Sequence, residues 1–184
     1  MTQRVSDTKP VREFIDVVTK YVHLIDSRNK LSGIKILQQS FILLPQMCLC
    51  GMKLPDIHRM SDYELPKKDV KEFFEIYNSI QSKIKRNDVY HQVFDPFNTD
   101  DIQLTSISIS NDLSEVYQDI NQGLREWESA SADDRRRIIW DWKFGFENHW
   151  GNHATSAFKA LYWLLYSHIE DNEGDYMGLR NDEK

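Results

Sequence analysis

Apolar residues recur along this chain at steps of three and four, the spacing that lines one side of an α-helix with a buried stripe. Val11, Phe14, Ile15, Val18, Val22 and Ile25 make the first such series. Thr8 and Pro10 suit its start, because proline is tolerated in a first turn, where its missing N–H would have no intrahelical partner. Leu31, Ile34, Leu37, Phe41 and Leu44 predict a second helix from near Lys30, with a kink or break at Pro45 before it resumes toward Gly51. Pro66 is expected to open a third, with Val70, Phe73, Tyr77, Ile80 and Ile84 inward. A fourth, from about Ser110 to Glu128, turns Leu113, Val116, Tyr117, Ile120, Leu124 and Trp127 to one side. The fifth begins after Ser131, a capping hydroxyl followed by Asp133 and Asp134 at the positive end of the helix dipole, and buries Ile138, Ile139, Trp142 and Phe146. Gly151 is expected to end or bend it, and a sixth helix carries Ala154, Ala157, Phe158, Leu161 and Leu165 inward.

One segment, 87–108, lacks this regularity. Asp95 precedes Pro96 and is pushed out of the helical region, which makes VFDPF an extended turn. Ile102, Leu104, Ile107 and Ile109 alternate in part, but no partner strand is evident. The pattern therefore predicts an all-α, single-domain bundle of about six helices over residues 1–169, with an irregular packed loop at about 87–108. A chain of 184 residues buries enough surface for one core without disulfides.

The formal charge of −6 is unevenly spread. Glu170, Asp171, Glu173, Asp175, Asp182 and Glu183 face only Arg180 and Lys184, so residues 170–184 read as an acidic, flexible tail carrying −4. A nucleic-acid face needs clustered Lys and Arg, and the one tight basic run, Arg135 to Arg137, follows two aspartates and reads as a charged helix face. Cys48 and Cys50 have neither redox nor zinc-ribbon spacing and read as buried free thiols. No apolar run spans a bilayer, and MTQRVSDTKP has no apolar signal core, so the cytoplasm is the expected compartment.

Candidate chemistry concentrates in FENHWGNHA. His149 and His153 are four apart, as two ligands on one helix face require, and Asp119 or Glu147 would supply an oxygen to a divalent transition metal. Against this, HWGNH lacks the acid of H-E-x-x-H, and Gly151 interrupts the pair. The favoured expectation is that the histidines hydrogen-bond within a polar helix junction and that no cofactor is held. Asp112 and Asp119 lie two turns apart, about 10 Å along the axis, too far to act on one atom. Asp112 would then favour its helix's first turn, and Asp119 would pair with a cation or a histidine. Trp127 and Trp142 fall on the core stripe, whereas Trp140 points elsewhere and is the better contact residue.

The order VFDPF, SISNDLSEVYQDI, WKFGFENHWGNHA, then an aromatic helix, resembles a family of small bacterial proteins catalogued only as a domain of unknown function, with members in Bacteroidetes and Proteobacteria. The similarity covers residues 10–167. Asp95, Pro96, Ser108, Asp112, Leu113, Tyr117, Asp119, Phe146, Trp150 and Gly151 match its pattern; relatives often carry tyrosine at the position of His149 and no histidine at that of His153. The resemblance implies that Tyr117, Asp119 and the Trp150–Gly151 step belong to a structural junction.

No nucleophile elbow, phosphate loop or metallohydrolase motif is present. The expected function is therefore a non-enzymatic cytoplasmic protein–protein interaction module, in its most concrete form an immunity protein neutralising a basic toxin or effector. Its candidate contact residues are Asp112, Tyr117, Asp119, Trp140, Glu147, His149, Trp150 and His153. The alternative is a metal-binding helical bundle, or a metal-dependent enzyme, using His149 and His153 with Asp119.

Overall fold

The structure, a computed structural model, describes residues 5–58, 68–93, 97, 100 and 103–167. Helices α1 (Lys9–Asp26), α2 (Gly33–Met52) and α3 (Val70–Ile84) are followed by strands β1 (Val89–Val93) and β2 (Leu104–Ser108). Helices α4 (Ile109–Trp127), α5 (Ala132–Asn148) and α6 (Trp150–Tyr162) complete the set, and a π-helical turn over Trp163–Ser167 extends the last. The class is all-α, six helices with one small sheet among the described residues. Pro66, Asp95, Pro96 and the acidic segment 170–184 lie outside them.

Local sequence explains most helix ends. The Ser32, Ser108 and Ser131 hydroxyls accept backbone N–H groups at the starts of α2, α4 and α5, and the Asp69 carboxylate does so for α3. Thr8 caps α1 only by position: its hydroxyl donates instead to Val5 O at 2.9 Å. Helix α4 is central, packing against α1, α3, α5 and α6, while α2 covers α1 and α6. Phe14, Trp142 and Trp150 meet in the core with centroids 5.2 and 6.0 Å apart, and Trp127 stacks on Trp142 at 5.4 Å. Their buried polar atoms have partners: Trp142 Nε1 donates to Ile120 O at 3.2 Å, Trp150 Nε1 to Trp142 O at 2.9 Å, and Tyr21 Oη to Leu113 O at 2.7 Å.

Four local expectations are corrected. Within 87–108 the described residues form strands rather than an irregular loop at either end: β1 and β2 pair antiparallel, with Val89 opposite Ser108 and Val93 opposite Leu104. Such a hairpin is marginal alone, and this one is tied to the bundle at its base. Asp88 O accepts Ile109 N at 2.9 Å, and the buried Asp88 carboxylate accepts both Ser110 N and Ser110 Oγ at 2.8 Å. Helix α2 continues through Pro45 to Met52, because Leu44 and Met47 on either side are fully buried and hold the helix in place. On α3, Ile80 and Ile84 are buried as expected, but Ile76 completes the buried face, Phe73 and Tyr77 are only partly buried, and Val70 is 66% exposed. Finally, the break between α5 and α6 falls at His149 rather than at Gly151.

Gly151 instead permits close approach. A Cβ there would lie 2.1 Å from Phe146 O, a backbone atom of the preceding helix that cannot swing aside. Gly151→Ala is expected to destabilise the fold by about 3 kcal/mol, read as a shift in the urea midpoint at unchanged slope. Thr155→Ala, on the exposed side of the same helix, is expected to change stability by less than about 0.5 kcal/mol.

Candidate functional site

On α4, Asp112, Glu115 and Asp119 follow one another at steps of three and four, so their carboxylates share one face. That face meets the start of α6. Asp119 pairs with His149 and Asp112 with His153, so the two helices run antiparallel and the residues lie in two rungs. His149 Nδ1 donates to Asp119 Oδ2 at 2.6 Å, and His153 Nδ1 donates to Asp112 Oδ1 at 2.8 Å. Since a carboxylate only accepts, both imidazoles are held as Nδ1–H donors with Nε2 turned away from the aspartates. The rings lie 4.9 Å apart, edge to face.

Glu115 sits between the rungs, its Oε2 3.9 Å from His149 Nε2. One nitrogen from each histidine and one oxygen from Glu115 lie within 4.8 Å of one another. Lys68, just before α3, places its ammonium 2.7 Å from Glu115 Oε2 and 2.9 Å from Asp119 Oδ1. From the hairpin, Tyr90 Oη donates to Asp112 Oδ2 at 2.5 Å. Asp112 is 1% exposed, so the tyrosine and histidine satisfy both oxygens of a carboxylate that water does not reach.

Burial sets the ionisation of this cluster, and pairing modifies it. For Asp112 burial dominates and raises its pKa, with the contacts to His153 and Tyr90 opposing. For Asp119 burial also pushes upward, but His149 and Lys68 outweigh it and hold the carboxyl below its usual range. The bond to Asp119 raises the His149 imidazole above 6.5 against the opposing effect of burial. Burial and the neighbouring Asp112 raise the Tyr90 phenol well above its usual value, so it stays a donor at neutral pH.

The structure thus brings together Asp112, Asp119, His149 and His153. It separates the other candidates. Glu147 points outward and pairs with Lys143 at 3.4 Å. Tyr117 lies on another side of α4, where its hydroxyl donates to Asp26 Oδ1 at 2.7 Å. Trp150 is core, and Trp140 stacks on Phe144 at 4.9 Å. Glu115, Lys68 and Tyr90 were missed by sequence reasoning. The spacing of Glu115 from Asp112 and Asp119 was a usable signal; Lys68 and Tyr90 arrive through tertiary packing and leave none.

A protein-family model described as "Domain of unknown function (DUF5063)" matches residues 5–167. The chain belongs to that family. DUF5063 membership agrees with the resemblance carried by the motif order and assigns no activity. A crystal structure of protein BF1032 from Bacteroides fragilis superposes with a TM-score of 0.74 at 20% identity, over 89% of this chain and 96% of that one. At that identity the likeness shows the shared fold. No curated protein matches the sequence. No helix among the described residues is long and apolar enough to cross a membrane.

The pairing of His149 has a pH signature. A histidine whose pKa is raised by folding adds stability that is fully present below 6.5 and is lost as pH rises through the folded value. His149→Gln should therefore lower the melting temperature most near about pH 6 and progressively less toward about pH 8.5. The lowered Asp119 contributes stability present above 3.8 and lost below it, so Asp119→Asn should be most destabilising near neutrality. Thermal melts of wild type and both variants from about pH 3 to about pH 8.5 check the two signs.

Proposed function

We propose that this protein is a metal-binding helical domain whose site for a divalent transition metal is formed by Glu115, His149 and His153. The observation that carries the reading is the convergence of these three side chains within 4.8 Å. Two imidazoles and a carboxylate suit zinc or iron(II), and three protein ligands leave a coordination position open to water or substrate. Asp112 and Asp119 support the same reading in a different role. A metal-bound histidine commonly donates its other ring N–H to a carboxylate, which fixes the tautomer and aims the ring. Asp119 is then an orienting residue rather than a ligand, and Glu115 takes the oxygen position. The family resemblance leaves both histidines outside the shared pattern, so the site is proposed for this chain, not for all of DUF5063.

Lys68 bears directly on this reading. Its ammonium neutralises Glu115 and Asp119 as an internal cation. A metal on Glu115 displaces that contact, so Lys68 and the metal compete. The half-buried free thiols of Cys48 and Cys50 fit a reducing compartment and support a cytoplasmic setting.

Isothermal titration of tag-free protein with zinc, iron(II) and manganese(II) is expected to give one equivalent for at least one metal. A metal at a hundred times its Kd should stabilise the fold by about 2.7 kcal/mol. His153→Ala and Glu115→Gln should abolish the heat, Asp112→Asn should weaken binding by about 10–100-fold, and Lys68→Met should tighten it. Binding of less than about a tenth of an equivalent, with no thermal shift, contradicts the reading.

Protein binding is the second reading, favoured by an aromatic surface at the end of α6. Phe41 stacks on Phe158 at 4.9 Å and meets Tyr166 at 5.3 Å, and Tyr162, Trp163 and Tyr166 are each half-exposed. Aromatic anchors of this kind dominate interface energetics, and a toxin neutralised by an immunity protein is one partner that would use them. Co-purification from the native host should recover a stoichiometric protein that Trp163→Ser and Tyr166→Ser release.

A further inference from the structure

The β1–β2 hairpin meets the bundle through polar contacts at every second residue. Asp88, just before β1, accepts Ser110 N and Ser110 Oγ; Tyr90 Oη donates to Asp112 Oδ2 at 2.5 Å; and Gln92 Nε2 donates to Ser156 Oγ at 3.1 Å. Alternation along a strand puts Tyr90 and Gln92 on one face, toward α4 and α6, while Val89 and His91 on the other are exposed. Tyr90 also packs its ring against the core. Apolar burial does little else to hold the hairpin, since Val89 is 58% and Leu104 75% exposed.

Of these contacts, the one at Tyr90 reaches the carboxylate–histidine cluster. Each orienting aspartate gives one oxygen to a histidine and the other to a second donor. Asp119 has His149 on Oδ2 and Lys68 on Oδ1; Asp112 has His153 on Oδ1 and Tyr90 on Oδ2. A carboxylate held at both oxygens has its plane fixed, and the imidazole bonded to it is fixed in turn. Lys68 also bonds Glu115 itself, whereas Tyr90 reaches the ligand set through Asp112. When the hairpin lifts, Asp112 Oδ2 loses this donor, the carboxylate is free to turn, and His153 turns with it.

We infer that Tyr90 is a positioning residue for the metal site: through Asp112 it aims His153, and docking of the hairpin on the bundle is thereby linked to metal binding. This role rests on the metal reading and adds a means of regulation to it. The link is reciprocal, so the factor by which undocking weakens the metal is the factor by which bound metal favours docking.

The full tag-free chain, with and without metal, separates the two parts. In EDTA, Tyr90→Phe should shift the side-chain ¹⁵N resonances of His153, while those of His149 move far less. In zinc titrations Tyr90→Phe should bind about fivefold more weakly than wild type, less than the loss expected for the aspartate because the tyrosine acts one bond further out. Gln92→Ala loosens the hairpin without touching Asp112 and should stay within about twofold of wild type. Saturating zinc should slow hydrogen exchange of the wild-type β1 and β2 ladder amides by about fivefold, because an undocked two-stranded hairpin exposes them. That measurement needs no variant and decides the matter if Tyr90→Phe fails to fold. Unmoved His153 resonances or wild-type zinc affinity in Tyr90→Phe overturns the inference. So does an equal loss in Gln92→Ala, or exchange indifferent to zinc. If zinc does not bind the wild type, the linkage falls with the metal reading, and the EDTA spectra still decide whether Tyr90 positions His153.

Discussion

The seating of Trp150 in the core is the constraint on which the rest of this molecule depends. Its indole is fully buried, touches Phe14 and Phe146, and donates to Trp142 O at 2.9 Å. Burying an indole removes more apolar surface from water than any other side chain, but only if its N–H finds a partner, and here α5 supplies one. Room for the ring comes from three glycines: Gly51 and Gly145 face it directly, and Gly151 lets α6 close onto Phe146. With Trp150 fixed, the chain must break at His149, one residue earlier, and α6 is laid along α4. Both histidines then face the acidic side of α4.

That placement solves an electrostatic problem. Three carboxylates on one helix face, two of them largely buried, repel one another and lose hydration. Lys68, His149, His153 and Tyr90 supply the compensating donors from three other elements. Asp112 and Asp119 look alike in sequence, yet burial raises one while pairing lowers the other. The two aspartates hold the imidazoles, and Glu115 pairs closely with the part-exposed Lys68 at 2.7 Å and more loosely with His149 Nε2 at 3.9 Å. Orientation is thus assigned to the buried acids and capacity for exchange to the one nearest solvent.

Much of this was legible in the chain itself. The Ser131 cap, the start of α1 after Thr8, the stripe on α4 and the core roles of Trp127 and Trp142 follow from periodicity and capping chemistry, which are local. The hairpin was not legible, because Val89 and Leu104 are exposed and the partial alternation around Ile107 carries little burial; what anchors it is Asp88, a contact with the next helix rather than a strand signal. Pro45 misled because local propensity yields to a helix buried on both sides of it. In the site, the histidine pair and both aspartates were visible as residue types. Glu115 was passed over although its spacing places it between them, and Lys68 and Tyr90 are brought in by packing alone.

The central claim is that Asp112 and Asp119 hold both imidazoles by Nδ1, leaving the two Nε2 atoms to a common ligand. Long-range ¹H–¹⁵N spectra of the histidine side chains, recorded near about pH 8.5 before and after addition of zinc, address it directly. The account predicts Nδ1–H tautomers for His149 and His153, with unprotonated Nε2 resonances that both shift on zinc binding. Nε2–H tautomers at either residue, or Nε2 resonances indifferent to zinc, would contradict it.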